Sequence, residues 1–553
     1  MINLIENMKV TIANLIVQAL SNAMEKGELP EFQIPEVFIE TPREKGHGDF
    51  STNIAMQLTK LLRMSPQKIA DSVISNINIE GTYIERVEKA GPGFINFYLN
   101  NQWLYAGLKI VKEEDEDYGK INIGNGQKVM VEFVSANPTG PLHMGNARGG
   151  ALGDCIAGVL EAAGYDVTRE FYINDAGNQI EKFGASLEAR YIQLIKGEDA
   201  IEFPEDGYHG EDIIEHAKAY IELYGDSLLN EDSEIRRKKL AEYAVQKNIS
   251  SIKQVLESYG IVYDVWFSEK SLYENGELED TLKYLKDNGY TEEKDGALWF
   301  KSPDSEEEKE AVLVRNNGIP TYFASDIAYH RNKFQKRGFD RVINLWGADH
   351  HGHVARMKAA VKALGIDPDK LDIVLFQLVR LFRNGEIARM SKRTGKAISL
   401  ADLLEEVGRD AARFFFNMKA SGSHLDFDLD LAVSKTNENP VFYVQYAHAR
   451  ICSIIRLLEN EGIKVPGVDE TDLTLLKEPE ELDLIKKLID YPEEIRISAQ
   501  TLEPSRLTRY VIDVASSFHS FYNACRVKGV EEELMKARLL LVDCTRIVIR
   551  NVL

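Results

Sequence analysis

The sequence predicts an α/β fold with a parallel sheet, preceded by a smaller domain and followed by a helical one. An apolar run ending at Val134 leads through a turn into a helix from about Met144, in which apolar residues recur every three or four positions. Further strand patterns occur at residues 167–173, 310–315 and 341–346. From about Leu429 the pattern is helical.

Length and composition narrow the class of protein. A chain of 553 residues is too long for one core, so three domains are expected. Hydrophobic residues at 44% and charged residues at 28% are typical of a soluble globular protein. We find no secretory signal, no stretch long enough to span a bilayer and no paired cysteines that would suggest disulfides or zinc. The cytoplasm is therefore the expected compartment, without a membrane partner. We also expect a monomer, although these observations do not determine the oligomeric state.

The net charge of −22 argues against nucleic acid as a partner. That argument is weak for a large protein, because local basic surfaces can bind RNA while the remaining surface is acidic. Any such binding should be sensitive to salt.

The joint between the first strand and its helix, residues 131–150, is a candidate anion site. Free amides and the helix dipole favour an anion at a helix N-terminus. His143 and Asn146 are three residues apart, share one face and could donate hydrogen bonds to a phosphate. From these residues alone, an ordinary strand-to-helix joint with a capping histidine fits equally well.

A second candidate is the cationic segment Arg389-Met390-Ser391-Lys392-Arg393-Thr394-Gly395-Lys396. Taken singly, such a run is usually a solvated basic loop. A third candidate, Gly347-Ala348-Asp349-His350-His351-Gly352-His353, follows a strand. Its histidines suggest a metal site, but a nucleoside pocket fits the position after a strand better.

The first two candidates together resemble the paired signatures of class I aminoacyl-tRNA synthetases. These signatures are His143-Met144-Gly145-Asn146 and Arg389-Met390-Ser391-Lys392-Arg393, in which Asn146 replaces a histidine and Arg389 a lysine. Within the class, the first stretch and Asp410-Ala411-Ala412-Arg413 are similar to arginyl-tRNA synthetases.

The resemblance implies a Rossmann-type class I catalytic domain with an inserted domain, an α+β N-terminal add-on domain and an all-α C-terminal anticodon-binding domain. The expected boundaries are 1–110 for the tRNA-elbow domain, 120–425 for the catalytic domain with its insertion at about 181–300, and 430–553 for the helical domain. Arginyl enzymes usually run some residues past Leu553, so we expect contacts from such a tail to be absent or made otherwise.

The resemblance also implies the reaction. L-Arginine and ATP, accompanied by Mg²⁺, would form arginyl-adenylate, and the arginine would then pass to the terminal adenosine of tRNA(Arg). No zinc or other protein-bound metal is expected. Two positions have alternatives: Glu132 taken alone suits a strand-edge charge, and Asp326 suits a helix cap.

The implied site residues fall into four groups. The catalytic ones are His143, Asn146 and Lys392. The ATP-binding ones are His143, Gly145, Asn146, Gly347, Asp349, His350, Met390, Ser391 and Lys392. The arginine-binding ones are Glu132, Ser135, Asn137, Tyr322 and Asp326. The tRNA-binding ones are Phe94, Asn96, Tyr446 and Arg450; Phe94 and Asn96 also fit a plain structural strand, which the residues alone favour.

Three other functions remain open. Another class I synthetase is the nearest, although one for cysteine would usually bring zinc ligands. A smaller nucleotidyltransferase would share the phosphate chemistry but would not need the flanking domains. A tRNA-binding paralogue without activity is the third, and the presence of His143 and Lys392 argues against it.

Overall fold

The computed structural model describes residues 3–42, 44–303, 311–388 and 398–553. The chain divides into two compact units. The terminal unit consists of Met1–Ile121, Phe442–Gln500 and Arg509–Leu553, and the central unit of Asn122–Val441 and Thr501–Thr508.

The chain begins with a small antiparallel sheet and four helices. These elements are α1 (Leu4–Glu25), β1 (Phe50–Thr52), α2 (Ile54–Leu62), α3 (Pro66–Asn76), β2 (Ile84–Ala90), β3 (Phe94–Leu99) and α4 (Gln102–Glu114). The strand order is β1-β3-β2. In α1 the buried residues Ile5, Met8, Ile12 and Ile16 recur every three or four positions, as an amphipathic helix requires.

The central unit follows. Its elements are β4 (Lys128–Glu132), α5 (Met144–Ala162), β5 (Asp166–Ile173), α6 (Asn178–Lys196), α7 (Glu211–Tyr224), α8 (Ser233–Ser258), β6 (Val265–Ser268), α9 (Lys270–Glu274), α10 (Glu277–Asp287), β7 (Thr291–Lys294), β8 (Ala297–Phe300), β9 (Ala311–Val314), α11 (Tyr322–Arg331), β10 (Arg341–Gly347), α12 (His351–Ala363), β11 (Leu371–Phe376), β12 (Val379–Arg383), β13 (Glu386–Ile387), α13 (Leu400–Val407), α14 (Arg409–Phe416), β14 (Leu425–Asp428) and α15 (Leu429–Val433). A π-helical turn (Asn332–Lys336) continues α11.

A five-stranded parallel sheet organises this unit, in the order β11-β10-β4-β5-β6. The middle strand β4 is apolar and fully buried at Val129, Met130 and Val131, as expected for a parallel sheet covered on both faces. The chain runs from β4 outward to β5 and β6, then returns to β10 and β11 on the other side. Strand order thus reverses between β4 and β10, and a crevice at the carboxyl ends of these strands is the expected ligand site.

The predicted insertion at 181–300 needs correction, because β6 lies inside it and pairs with β5 in the main sheet. The helical part of this region, α6 to α8, has its own core around Phe183, Tyr191 and Leu240. The other predicted domain boundaries stay a prediction.

Five helices complete the terminal unit: α16 (Pro440–Asn460), α17 (Pro479–Ile489), α18 (Tyr491–Thr501), α19 (Ser505–Ala524) and α20 (Glu532–Val552). The last residue of α18 and the first turn of α19 belong to the central unit. The expected α/β fold with a helical C-terminal part is confirmed. Within the described residues, we find no helix with the length and apolar character needed to cross a membrane.

Candidate active site

The turn after β4 is strained. Val134 and Ser135 both have positive φ angles, 68° and 41°, which β-branched residues such as valine rarely adopt. Hydrogen bonds hold Ser135 in place: its Oγ donates to Glu132 Oε1 at 3.0 Å and accepts from the Tyr172 amide at 3.1 Å. Such strain is common at functional sites and persists only where the surroundings enforce it. The turn therefore presents Glu132 and Ser135 at the crevice.

His143 is the residue that precedes helix α5, and Asn146 lies in its first turn. The Asn146 Oδ1 accepts a hydrogen bond from the His143 backbone amide at 3.0 Å, so the side-chain oxygen caps the helix. This bond does not use the Nδ2 donors of Asn146. His143 and Gly145 are exposed, and the helix N-terminus can accept an anion from solvent.

The residues that follow the cationic segment in sequence contact the start of this helix. Met390, Ser391 and Lys392 lie outside the described residues. Ser399, seven positions after Lys392, forms a β-bridge with His143, and the Leu400 amide donates to Leu142 O at 2.9 Å. Ser399 and Leu400 therefore lie directly beside the start of α5.

At the end of β10, Asp349 and His350 are exposed, and their side chains lie 3.7 Å apart. A Cβ on Gly347 would lie 2.4 Å from Asp349 Oδ1 and displace that carboxylate. These three residues border the crevice on the β10 side.

Helix α11 carries Tyr322 and Asp326 four residues apart, hence on one face. Tyr322 is exposed. Asp326 Oδ2 is 3.2 Å from Nε2 of His353, whose ring lies among those of Tyr322, Phe323 and Trp346 at centroid distances of 6.1, 5.6 and 5.4 Å. The carboxylate is thus oriented by a histidine from the neighbouring helix α12.

Glu132, by contrast, already forms an ion pair with a lysine of the same unit. Its Oε2 lies 2.5 Å from Nζ of Lys333, a lysine with no exposed surface. The alternative of a strand-edge charge is wrong, because Glu132 is 8% exposed and belongs to a buried ion pair. Any contact with a bound guanidinium would share this carboxylate with Lys333.

Asn137 is exposed, and its Nδ2 donates to Gln179 Oε1 at 2.7 Å. Gln179 lies in the first turn of helix α6 and also accepts from the Tyr208 hydroxyl at 3.2 Å. A second bond links the same turn to the helical region: Asn248 Nδ2 donates to Pro138 O at 2.9 Å. Helices α6 and α8 therefore hold the turn after β4 from one side.

Glu269 is a buried carboxyl group near Asp326 that the sequence analysis missed. It follows β6, is 8% exposed, and its amide donates to Ile173 O at the end of β5. Burial raises the pKa of Glu269 to about 7; the Ser325 hydroxyl opposes this rise, and the charges of Asp326 and Asp175 add to it. Its position at the carboxyl end of a sheet strand could have marked Glu269 as a site residue. The sequence pattern did not reveal this strand, because β6 has only four residues.

The terminal unit presents a cluster of rings and one cation on its helical part. Arg450 lies 4.7 Å from the ring centroids of both Tyr446 and Tyr522 and donates to the Tyr446 hydroxyl at 2.7 Å. Tyr446 is exposed and stacks at 5.9 Å on Phe442. Exposed rings of this kind can stack on unpaired bases.

The sheet of the terminal unit differs from expectation. Phe94 is half-buried, but Asn96 is only 3% exposed, in the middle strand between Ser51 and Glu88. The amide of Asn96, which the resemblance assigns to tRNA binding, is therefore buried. On the same strand, Tyr98 is covered by the guanidinium of Arg86, 3.6 Å from its ring centroid.

Comparison with known proteins decides the family. Three profiles match, described as arginyl tRNA synthetase N terminal domain (residues 11–99), tRNA synthetases class I (R), catalytic domain (109–428) and DALR anticodon binding domain (444–553). Arginine–tRNA ligases of Acetivibrio thermocellus and Ruminiclostridium cellulolyticum are 73% and 70% identical over 553 and 551 residues, which is 100% of this chain and 98% of each relative. The chain belongs to the arginyl-tRNA synthetase family.

A solved structure agrees with the fold. The arginyl-tRNA synthetase of Thermus thermophilus superposes with a TM-score of 0.73 over 98% of both chains, at 23% identity. The stretch His143-Met144-Gly145-Asn146, which resembles the first class I signature, lies at the start of α5. The structure brings Glu132, Ser135, His143 and Asn146 to one end of the sheet, with Gly347 on the neighbouring strand β10.

Among the described residues, no three histidine, cysteine, aspartate or glutamate side chains group as metal ligands would. The four cysteines, Cys155, Cys452, Cys525 and Cys544, are free thiols. His350 and His353 instead make pairs with Asp349 and Asp326.

Proposed function

We propose that this chain activates L-arginine with ATP and transfers it to tRNA(Arg). The observation that carries the proposal is that a helix start suited to an anion lies at the same end of the parallel sheet as two neighbouring carboxylates. The helix offers His143 and the Nδ2 of Asn146, and the pocket offers Asp326 and Glu269. The helix start suits a polyphosphate, and the two carboxylates suit a guanidinium.

In the first step, the arginine carboxylate attacks the α-phosphorus of ATP and pyrophosphate leaves. Such a transfer depends on positioning and positive charge more than on a protein nucleophile. His143, Gly145 and Asn146 would hold the phosphates. Lys392, with Met390 and Ser391, would offset charge as pyrophosphate departs. ATP would enter as its Mg²⁺ complex, and Gly347, Asp349 and His350 would hold the adenosine.

The arginine side chain would bind between α11 and the end of β6. A guanidinium presents five donors in a planar fork and pairs best with carboxylates. Asp326 and Glu269 would supply these, Tyr322 would cover the guanidinium, and Ser135 and Asn137 would hold the amino-acid end. Lysine or citrulline would leave a buried carboxylate without a matching partner, so the pocket can select arginine directly.

In the second step, the 2′-hydroxyl of the terminal adenosine of tRNA attacks the adenylate carbonyl and AMP leaves. Tyr446 and Arg450 would contact tRNA by stacking and charge, and Phe94 would contribute from the small sheet. Asn96 could take part only if its surroundings opened. We further propose a cytoplasmic monomer, which size-exclusion chromatography with light scattering would test.

The deciding experiment is ATP–pyrophosphate exchange with each amino acid in turn, with and without tRNA(Arg). We expect exchange with arginine and not with lysine or citrulline. Lys392→Ala should abolish it. If no amino acid supports exchange while tRNA still binds tightly, the chain is a tRNA-binding paralogue without activity.

Asp326→Asn tests the pocket. We expect the arginine KM to rise about 100-fold, because losing a charged hydrogen-bond partner costs roughly 2–3 kcal/mol, while the ATP KM stays unchanged. Asp280→Asn, an exposed aspartate on α10, is the matched control. An unchanged arginine KM in Asp326→Asn would place the guanidinium elsewhere.

A further inference from the structure

Lys333 is a fully buried lysine behind the arginine pocket. It lies in the π-helical turn Asn332–Lys336, which continues the helix that carries Tyr322 and Asp326. Turns of this type are rare and are frequently found at functional sites. A buried ammonium group is costly unless its partners neutralise and hydrogen-bond it.

Three partners surround the ammonium group. Its Nζ lies 2.5 Å from Glu132 Oε2, 3.1 Å from Asn344 Oδ1 and 4.0 Å from the ring centroid of Tyr329. Glu132 ends β4, Asn344 is in β10, and Tyr329 is in α11. Lys333 therefore joins the two strands that border the crevice to the helix above them.

From Asn344 the contacts continue to Asp326. Asn344 Nδ2 lies 2.9 Å from His330 Nε2, and His330 Nδ1 lies 2.7 Å from the backbone oxygen of Asp326. Burial, followed by the charge of Lys333, lowers the pKa of His330 well below its usual value. The neutral ring therefore donates from Nδ1 to Asp326 and accepts at Nε2 from Asn344, which turns the amide oxygen of Asn344 toward Lys333.

From Glu132 the contacts continue to the strained turn. The second carboxylate oxygen, Oε1, accepts from Ser135 Oγ at 3.0 Å. Ser135 has a positive φ and lies two residues before Asn137. One buried cation thus connects both walls of the proposed pocket, the turn that would hold the amino-acid end and the helix that would hold the guanidinium.

We propose that Lys333 is a positioning residue for arginine recognition, acting through Glu132 and Asn344 rather than by contact with the substrate. It neutralises Glu132 and fixes its orientation. The negative charge left for the substrate guanidinium then resides on Asp326 and Glu269. This inference rests on the proposed function and adds a resident cation to a pocket that selects a cationic substrate.

Lys333→Met is the test, with Lys336→Met as the matched control. Lys336 belongs to the same turn, is 61% exposed at its side chain and pairs with Glu277. In arginine-dependent exchange with tRNA present, we expect Lys333→Met to raise the arginine KM at least tenfold and to leave the ATP KM within twofold. Lys336→Met should match the wild type. An arginine KM within twofold of wild type in Lys333→Met overturns the inference.

A double variant tests the route through Glu132. If Lys333 acts through this carboxylate, Glu132→Gln combined with Lys333→Met should have an arginine KM within twofold of Glu132→Gln alone. A double variant whose effect equals the product of both single effects overturns that route. Should Lys333→Met not fold, Lys333→Gln replaces it, because it fills the same site but lacks the cation that neutralises Glu132, and the same outcomes apply.

The wild-type measurement separates the two proposals. Wild-type protein without arginine-dependent exchange overturns the proposed function, and this inference with it. Wild-type exchange combined with an unaffected Lys333→Met variant overturns this inference alone.

Discussion

Glu269 is a carboxyl group whose charge depends on pH near neutrality. Its pKa of about 7, raised chiefly by burial, means that it is largely protonated at pH 6 and ionised at pH 8. A guanidinium keeps its positive charge across this range and prefers the ionised form. Arginine affinity should therefore increase about tenfold from pH 6 to pH 8, as the ionised fraction does.

Calorimetric titration with arginine across this pH range measures the effect. Glu269→Gln should bind arginine more weakly and without the rise. Glu274→Gln, an exposed glutamate on the adjacent helix α9, should behave like the wild type. Equal pH dependence in wild type and Glu269→Gln would assign the titration to another group.

Local sequence patterns predict some of these site residues and not others, for physical reasons. His143 and Asn146 follow from a local pattern, because a helix start needs only a few consecutive residues. The Glu132–Lys333 pair joins residues 201 positions apart, and no local pattern marks Lys333 as buried. Asn96 alternates along its strand as an exposed residue would, but the middle position of β3 in its sheet buries it.

At the scale of elements, the position of α5 against β4 sets where His143 lies. Gly153 makes this close approach possible: a Cβ there would lie 2.2 Å from Cγ of Phe133. Gly153→Ala should therefore push the helix from the sheet and lower the free energy of unfolding by roughly 2–3 kcal/mol, as overpacking does. The ATP KM should rise because the helix start moves.

Gly158→Ala is the control on the same helix. Nothing lies within 4 Å of its added Cβ, so the substitution should stabilise the protein by roughly 0.5–1 kcal/mol through helix propensity. Urea unfolding measures the free energy of unfolding of both variants. Equal stability of the two variants would contradict the close helix–sheet contact.

The element that sequence patterns did not identify is β6. Four residues, Val265 to Ser268, are too few to show alternation, and charged helices flank them. Pairing with β5 over four positions defines the strand. By contrast, the predictions for β5 and β10 agree with the structure to within one residue at each end, whereas the run predicted for β4 extends two residues beyond Glu132.

At the scale of the whole molecule, an acidic protein must bind RNA through local features. Tyr446→Ala should lower kcat/KM for tRNA about tenfold, since stacking on one base contributes roughly 1–3 kcal/mol. The salt dependence of binding should stay the same, because no charge is removed. Tyr446→Phe keeps the ring and should retain most activity. If Tyr446→Phe loses as much as Tyr446→Ala, the hydroxyl bonded to Arg450 matters rather than the ring.

The terminal unit is built from both ends of the chain. The Tyr105 and Tyr118 hydroxyls donate to Leu476 O and Leu488 O, and Lys112 pairs with Asp543. During synthesis on the ribosome, helix α4 therefore cannot pack until α17 and α20 have been made, more than 350 residues later. At roughly 5–20 residues per second this wait is on the order of 20–90 s. During it, the central unit can fold first, and the apolar face of α4 is available to chaperones. In a chain that terminates before α17, that face stays uncovered, and the apolar residues of α4 remain exposed to solvent.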